Sequence, residues 1–387
     1  MKTKKIPEMK PAFLERMKLL LPDEKDLQSY LDILKVKPVK SFRCNTLKIS
    51  PENLKKRLEA KRWKIFQPWE NYPEVMIVEG KYVRSCAQID KLATDSVKSL
   101  VEINNTTNKK SLKEELPFNK VLVKKSDSVD FEVNQLRAKG EQILQDLEPG
   151  EFGRSLEHLL GYYYIQELAS MLPIVALKPN EDEIFLDLCA APGSKTTQVV
   201  AEMKNTGNVF ANEVSLGRLR ILASNLERCG TTNTLITKKD GIILCKRFKE
   251  LGIFPDKILV DAPCSGEGTL RSSYQTYLMW NEKTIKRLSK IQKKLVESAI
   301  EILKSGGEMI YSTCTHAPEE NEEVVNWVLE NFPEMKLENI ELPIKTRPGL
   351  TKWQDKEFSS ELKKCARVYP HDNDTEGFFV AKLKKCQ

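Results

Sequence analysis

No CxxC pair occurs among the nine cysteines, which are scattered as Cys44, Cys86, Cys189, Cys229, Cys245, Cys264, Cys314, Cys365 and Cys386. That spacing argues against a zinc ribbon, and the odd number against a closed disulfide framework. Long apolar runs are missing too. Stretches such as IFLDLCAAPG fall far short of the roughly 20 residues a membrane-spanning helix needs. The segment MKTKKIPEMK has no apolar signal core. Histidine is scarce: His158, His316 and His371 are dispersed, and His316 reads as a loop residue. These absences predict a reduced, cytoplasmic protein with no membrane segment and no metal.

Positive charge, by contrast, is plentiful and uneven. The chain carries +7 over 387 residues, and residues 1–64 hold eighteen Lys/Arg against eight Asp/Glu, a local +10. A basic end on a near-neutral body predicts a module that docks a polyanion. A solvated lysine-rich surface is the plainer alternative.

The chain reads as three parts. Residues 1–84 form a basic α+β region: helical spacing to Leu34, a strand in SFRCNTLKI, a helix begun by Ser50 and Pro51, and a strand in KIFQPW. Residues 85–150 are a polar insertion whose only glycines are Gly140 and Gly150. Residues 151–387 alternate helix and strand. GRSLEHLLGYYYIQELASMLPIVAL reads as one helix, and long helices are expected over 282–304 and 318–330. This order predicts an α/β fold with a doubly wound, mostly parallel Rossmann-like sheet, closed by a C-terminal strand that pairs antiparallel.

In such sheets ligands lie beyond the carboxyl ends of the strands. DLCAAPGSKT is a strand, a small-residue turn and a helix start. Ala190, Ala191 and Gly193 let the backbone approach a ligand, and the helix offers free N–H groups. GSKT is not a triphosphatase loop, because Ser194 separates Gly193 from Lys195 and position 188 is leucine. Glu213 ends the next strand, where an acid accepts ribose hydroxyls, and Asp240 ends a third, within reach of an adenine edge. Taken alone, Glu213 could be a helix-start acid and Asp240 a turn residue. Trp280 and the basic face of helix 282–294 suit either an RNA surface or plain solvation.

HLLGYYYIQE, DLCAAPGSKTTQ, SNLERCG, DAPCSGEGTLR, STCTHAPEENE and DTEGFFVAKL together resemble the Nop2/Sun (RsmB/NOP) family of RNA cytosine-5 methyltransferases, the archaeal tRNA members most. The resemblance implies S-adenosyl-L-methionine as cofactor, held by Cys189, Ala190, Ala191, Pro192, Gly193, Ser194, Lys195, Glu213, Arg218, Asp240 and Asp261. It implies RNA, and tRNA first, as partner of a monomer. RCNTLK matches the family's N-terminal element, so Arg43 and Asn45, with Arg271, are expected to contact substrate.

Carbon-5 of cytosine is too weak a nucleophile to take a methyl group until a thiolate adds to carbon-6. The spacing leaves open whether Cys264 or Cys314 attacks. The resemblance implies Cys314, with Cys264 helping release, Asp261 as proton donor and Lys195 as neighbouring positive charge. Two rival readings are an rRNA methyltransferase of the same family and an RNA-binding protein that keeps the fold without turnover.

Overall fold

A computed structural model describes residues 9–83 and 143–386. The 85–150 insertion therefore falls almost wholly outside the described residues. The strands are, in chain order, β1 (Lys40–Cys44), β2 (Trp63–Phe66), β3 (Val75–Val83), β4 (Ile143–Gln145), β5 (Tyr163–Ile165), β6 (Ile184–Asp187), β7 (Asn208–Asn212), β8 (Thr234–Thr237), β9 (Lys257–Asp261), β10 (Glu308–Thr313), β11 (Met335–Glu338), β12 (Arg347–Pro348), β13 (Lys352–Trp353), β14 (Lys356–Glu357), β15 (Ala366–Val368) and β16 (Phe378–Lys385).

The chain divides into two compact units. The larger comprises Met1–Leu54, Phe66–Ile77 and Phe152–Gln387, so the N-terminal helices Pro11–Leu20 and Glu24–Ile33 cluster with the residues of the main sheet. In the smaller unit, β4 pairs antiparallel with β3 through Lys81↔Gln145, and Lys81 and Trp63 both reach the Glu151 carboxylate.

The main sheet of the larger unit runs β12-β15-β16-β10-β9-β6-β7-β8, with β11 also on β16. Strands β6 to β10 are mutually parallel, and β16 lies antiparallel on β10 with Thr313 opposite Phe379. The chain moves outward from β6 to β8, then returns to place β9 on the other side of β6. Loops after β6 and β9 therefore leave the sheet side by side, at the reversal where α/β sheets bind ligands.

Both faces are covered, as a parallel sheet requires. On one, Leu244, Leu295, Val296, Ala299 and Val325 pack over Ile258 and Tyr311. On the other, Leu172, Val175, Val199 and Val200 pack over Phe185 and Leu259. Helix Glu282–Ile302 is capped by Asn281, whose side chain accepts from Thr284 N, and it buries Ile285, Ser289, Gln292, Leu295, Val296 and Ala299 on one face. The N-terminal helices Pro11–Leu20 and Glu24–Ile33 bury Phe13, Met17 and Tyr30 in a third cluster with Leu270, Trp280 and Tyr369.

One predicted helix is broken. Leu156–Leu159 is a single turn, YYI is strand β5, and only Leu168–Leu177 is a full helix. Gly161 takes φ +70, and a Cβ there would meet Arg228 O at 1.9 Å. The chain turns at that point and pairs antiparallel with β1, Phe42 opposite Ile165. Helix 318–330 is also shorter, Glu322–Asn331, because residues 317–321 are spent on a buried turn.

Candidate active site

The loops at the sheet reversal surround a cavity of about 490 Å³ whose walls include Asp187, Cys189, Lys195, Asp261, Cys314 and Glu376. The turn after β6 is built to leave room. Ala190 N donates to Asn212 O and Gly193 N to Ala190 O, both at 2.8 Å. Gly193 sits at φ +103, and a Cβ there would lie 3.0 Å from Leu222 Cδ1. Helix Ser194–Glu202 then starts with its N–H groups toward the turn.

Asp187 is fully buried. One oxygen accepts from Thr196 Oγ1 at 2.7 Å, whereas Oδ1 has no partner among the described residues. Burial pushes its carboxyl up to about 7. An orphaned acceptor on a small-residue turn suits the donor-bearing, cationic S-adenosylmethionine. Burial likewise pushes the Cys189 thiol up, so it serves as neutral wall.

Glu213 is buried, accepts from Ser215 N at 2.8 Å and pairs with Arg218 at 3.1 Å. Arg218 also donates to Ala191 O at 2.5 Å, tying that acid to the turn. Neither residue lines the cavity itself. Asp240 is exposed and caps helix Gly241–Leu251 through Ile242 N at 2.9 Å and Ile243 N at 3.3 Å. It is a helix cap here, which accounts for an acid before glycine without a ligand.

Lys195 reaches back from its helix to β9. Its Nζ donates to Asp261 Oδ2 at 2.8 Å and to Ser170 Oγ at 3.0 Å, and it lies 5.2 Å from the Phe378 ring centroid. Asp261 Oδ1 accepts from Ser312 Oγ at 2.8 Å. The ion pair is thus held from β9, β10 and the cofactor helix together.

Cys264 and Cys314 follow adjacent parallel strands, β9 and β10, and their sulfurs are 3.2 Å apart. The contact with Cys314, aided by burial, pushes the Cys264 thiol well up. A polar frame fixes both loops. Ser265 Oγ meets Thr315 Oγ1 at 2.8 Å, and Glu320 accepts from Ser265 N at 3.0 Å and from Gln292 Nε2 at 2.8 Å. Burial pushes the Glu320 carboxyl up to about 7. His316 lies in the loop after β10, as expected, and is buried there: it stacks on Tyr369 with ring centroids 4.9 Å apart, and burial pushes it down to about 3.

Three residues expected at the RNA surface are instead internal braces. Arg43 is 2% exposed and bonds Gln166 Oε1 at 3.1 Å and Thr197 Oγ1 at 2.9 Å. Asn45 Nδ2 donates to Gly161 O and Cys229 O, both at 2.8 Å. Arg271 is spent on Val36 O, Lys37 O, Thr375 O and the Asp374 carboxylate. Asn45 and Arg271 satisfy backbone carbonyls that the fold leaves buried, and Arg43 satisfies a buried amide oxygen and hydroxyl, which is why polar side chains stand there. Trp280 is buried too, donating Nε1–H to Glu267 at 2.7 Å. Sequence reasoning did not single out Glu167, Ser170, Glu376 or Phe378, all of which line the cavity. An acid before the GFF run was the one available signal.

Gly268 sits between the two loops. Its N donates to Cys314 O at 2.9 Å and its O accepts from Gly377 N at 2.8 Å. A Cβ there would lie 2.1 Å from Gly377 O and 2.9 Å from Cys314 O, both backbone atoms. Gly268→Ala is therefore expected to shift Cys314, lowering the melting temperature and cutting methyl transfer by about tenfold or more. Differential scanning fluorimetry and a methyl-transfer assay check both effects.

The fold is that of an S-adenosylmethionine-dependent methyltransferase, with Cys314 in the wall of its cavity and Cys264 in contact with Cys314. The model of the family described as 16S rRNA methyltransferase RsmB/F matches residues 174–384. The tRNA (cytosine(49)-C(5))-methyltransferase of Pyrococcus abyssi is 39% identical over 247 residues, covering 64% of this chain and 78% of that enzyme. The ribosomal RNA small subunit methyltransferase F of Erwinia tasmaniensis is 32% identical over 378 residues, 97% of this chain and 63% of that one. The crystal structure of NSun6 from Pyrococcus horikoshii with SFG superposes with a TM-score of 0.70 at 25% identity, covering 98% of both chains. The chain belongs to the RsmB/F (Nop2/Sun) family of RNA cytosine-5 methyltransferases. It spans less than two thirds of the length of the methyltransferase F relatives. No described helix is long and apolar enough to cross a membrane.

Proposed function

We propose that this chain methylates carbon-5 of a cytosine in tRNA, as a monomer in the cytoplasm, through a covalent bond from Cys314 to carbon-6. The observation that carries this reading is the Cys314 side chain in the wall of a cavity shared with the β6 turn and the Lys195–Asp261 pair, with the Cys264 sulfur 3.2 Å from its own. Bound S-adenosylmethionine supplies an electrophilic methyl group; the chain's residues supply the rest. The Cys314 thiolate adds to carbon-6, and the ring's displaced electron pair makes carbon-5 nucleophilic. The Lys195–Asp261 pair stabilises charge at the ring's nitrogen edge, with Asp261 as the proton donor. After methyl transfer a base removes the carbon-5 proton, its bonding pair re-forms the ring double bond as the carbon–sulfur bond breaks, and the thiolate of Cys314 returns, Cys264 helping this release.

The tRNA reading is supported by the Pyrococcus abyssi relative, most of whose length this chain spans. An rRNA reading is supported by the near full-length match to the methyltransferase F sequence. Bisulfite sequencing of total RNA with and without the gene separates them. Loss of one protected tRNA cytosine is expected, and loss at a ribosomal position would replace tRNA by rRNA.

The exposed Lys37, beside the cavity's Pro38–Ser41 wall, is part of the basic N-terminal charge. Replacing it by glutamine is expected to flatten the salt dependence of RNA binding by about one in log–log slope, leaving S-adenosylmethionine binding intact. Filter-binding titrations across salt concentrations check this. An unchanged slope would assign the contact to other lysines.

A further inference from the structure

Glu376 is 5% exposed, lines the cavity, and neither of its carboxylate oxygens has a hydrogen-bond partner among the described residues. Ser272 lies close but makes no bond of ordinary geometry to it. Its neighbours are already spent. Glu167 Oε1 accepts from Glu376 N at 2.9 Å, and the Arg271 guanidinium is committed to backbone carbonyls and Asp374. A buried acceptor that the fold leaves open is costly unless something else completes it.

Its position is tightly set. Gly377 N bonds Gly268 O, and Gly268 N bonds Cys314 O, so two backbone hydrogen bonds tie the segment after Glu376 to the nucleophile's own carbonyl. Phe378, two residues on, meets Lys195. Glu376 is thus fixed in the wall of the same cavity as Cys314, Lys195 and Asp261.

We propose that Glu376 accepts a hydrogen bond from the exocyclic amine of the target cytosine and thereby rejects uracil. This deepens the cytosine-5 reading and rests on it. A base drawn into a pocket is read on its Watson–Crick edge. There cytosine offers an N4–H donor where uracil offers the O4 acceptor, and an ionised carboxylate only accepts. With Cys314 on carbon-6 and the Lys195–Asp261 pair toward N3, the amine on carbon-4 is the donor left for a third group. Burial pushes the Glu376 carboxyl up to about 7, the facing Glu167 adding to it, and an amine donor favours the ionised form.

The test uses transcripts of the RNA located by bisulfite sequencing, carrying 5-fluorocytidine at the target or, with that position changed to U, 5-fluorouridine. With S-adenosylmethionine present, the Cys314–carbon-6 bond forms and the methyl group moves to carbon-5. Fluorine there leaves no proton to remove, so the adduct persists on a denaturing gel. The full-length protein should trap the fluorocytidine RNA and scarcely the fluorouridine RNA. Glu376→Gln, whose amide also donates to O4, should lower that ratio by about tenfold or more. Glu376→Asp withdraws the acceptor by one methylene and serves if the glutamine variant does not fold. It should lower fluorocytidine trapping while fluorouridine trapping stays low. A ratio unchanged in a folded variant, with both adducts falling together or neither, overturns the proposal. Absence of any adduct with the unaltered protein overturns the cytosine-5 reading beneath it.

Discussion

Cys314→Ala is expected to abolish methyl transfer, by about a thousandfold or more, and to leave no covalent RNA adduct. Cys264→Ala is expected to do the opposite to the adduct: attack and methylation proceed, release stalls, and a protein–RNA species accumulates on a denaturing gel. The two sulfurs are equivalent by distance, 3.2 Å apart at the ends of neighbouring strands. Their surroundings differ. Cys314 lines the cavity and Cys264 does not, and the contact with Cys314, with burial, pushes the Cys264 thiol up. A weakly acidic thiol beside the adduct suits the later traffic of a proton at carbon-5. Cofactor binding and melting temperature must match the unaltered protein for either result to count. Adducts with Cys314→Ala and none with Cys264→Ala would hand the nucleophile's role to Cys264.

Much of this arrangement was legible in the chain because it depends on local order. A short apolar run followed by small residues and a helix start specifies a strand-end turn wherever it is placed, so Ala190–Lys195 was found directly. The adjacency of Cys264 and Cys314 was not, for it needs β9 and β10 to be neighbours although fifty residues separate the cysteines. Only the family resemblance paired them. Burial of polar residues was the commonest misreading. Arg43, Asn45, Arg271 and Trp280 carry groups that suit RNA, and the same groups satisfy a hydroxyl, carbonyls and a carboxylate that the fold buries. Local sequence does not say which side of the surface such a residue lies on. YYI reads as helix by its apolar spacing, yet the edge of β1 recruits it as a strand. Tertiary pairing overrides propensity in so short a segment. Glu376 escaped notice because nothing local distinguishes an open buried acid from a turn residue.

The loop carrying Cys314 also rests on a buried ion pair, which sets the second large expected effect. Arg367, on β15, donates Nε to Glu322 Oε1 and a terminal nitrogen to Oε2, both at 2.6 Å, with side chains 2% and 0% exposed. Its other terminal nitrogen donates to His316 O at 3.1 Å, two residues past Cys314. Glu322 opens helix Glu322–Asn331 and also accepts from Leu350 N at 3.1 Å. Arg367→Met leaves a carboxylate buried without its cation, and a loss of about 3–5 kcal/mol is expected. Glu322→Gln keeps the shape, strands the guanidinium and should cost a similar amount. Because each single change includes the penalty of the abandoned charge, Arg367→Met with Glu322→Gln should fall well short of the sum, by about 2 kcal/mol or more. Urea denaturation of the four proteins measures this coupling. Methyl transfer, assayed where all remain folded, should drop in Arg367→Met, because the His316 carbonyl loses its donor and the turn carrying Cys314 loosens. Additive losses, or single losses below about 1 kcal/mol, would mean that water or a rearranged turn replaces the lost partner, and the loop would then owe its position to the Glu320 and Gly268 contacts alone.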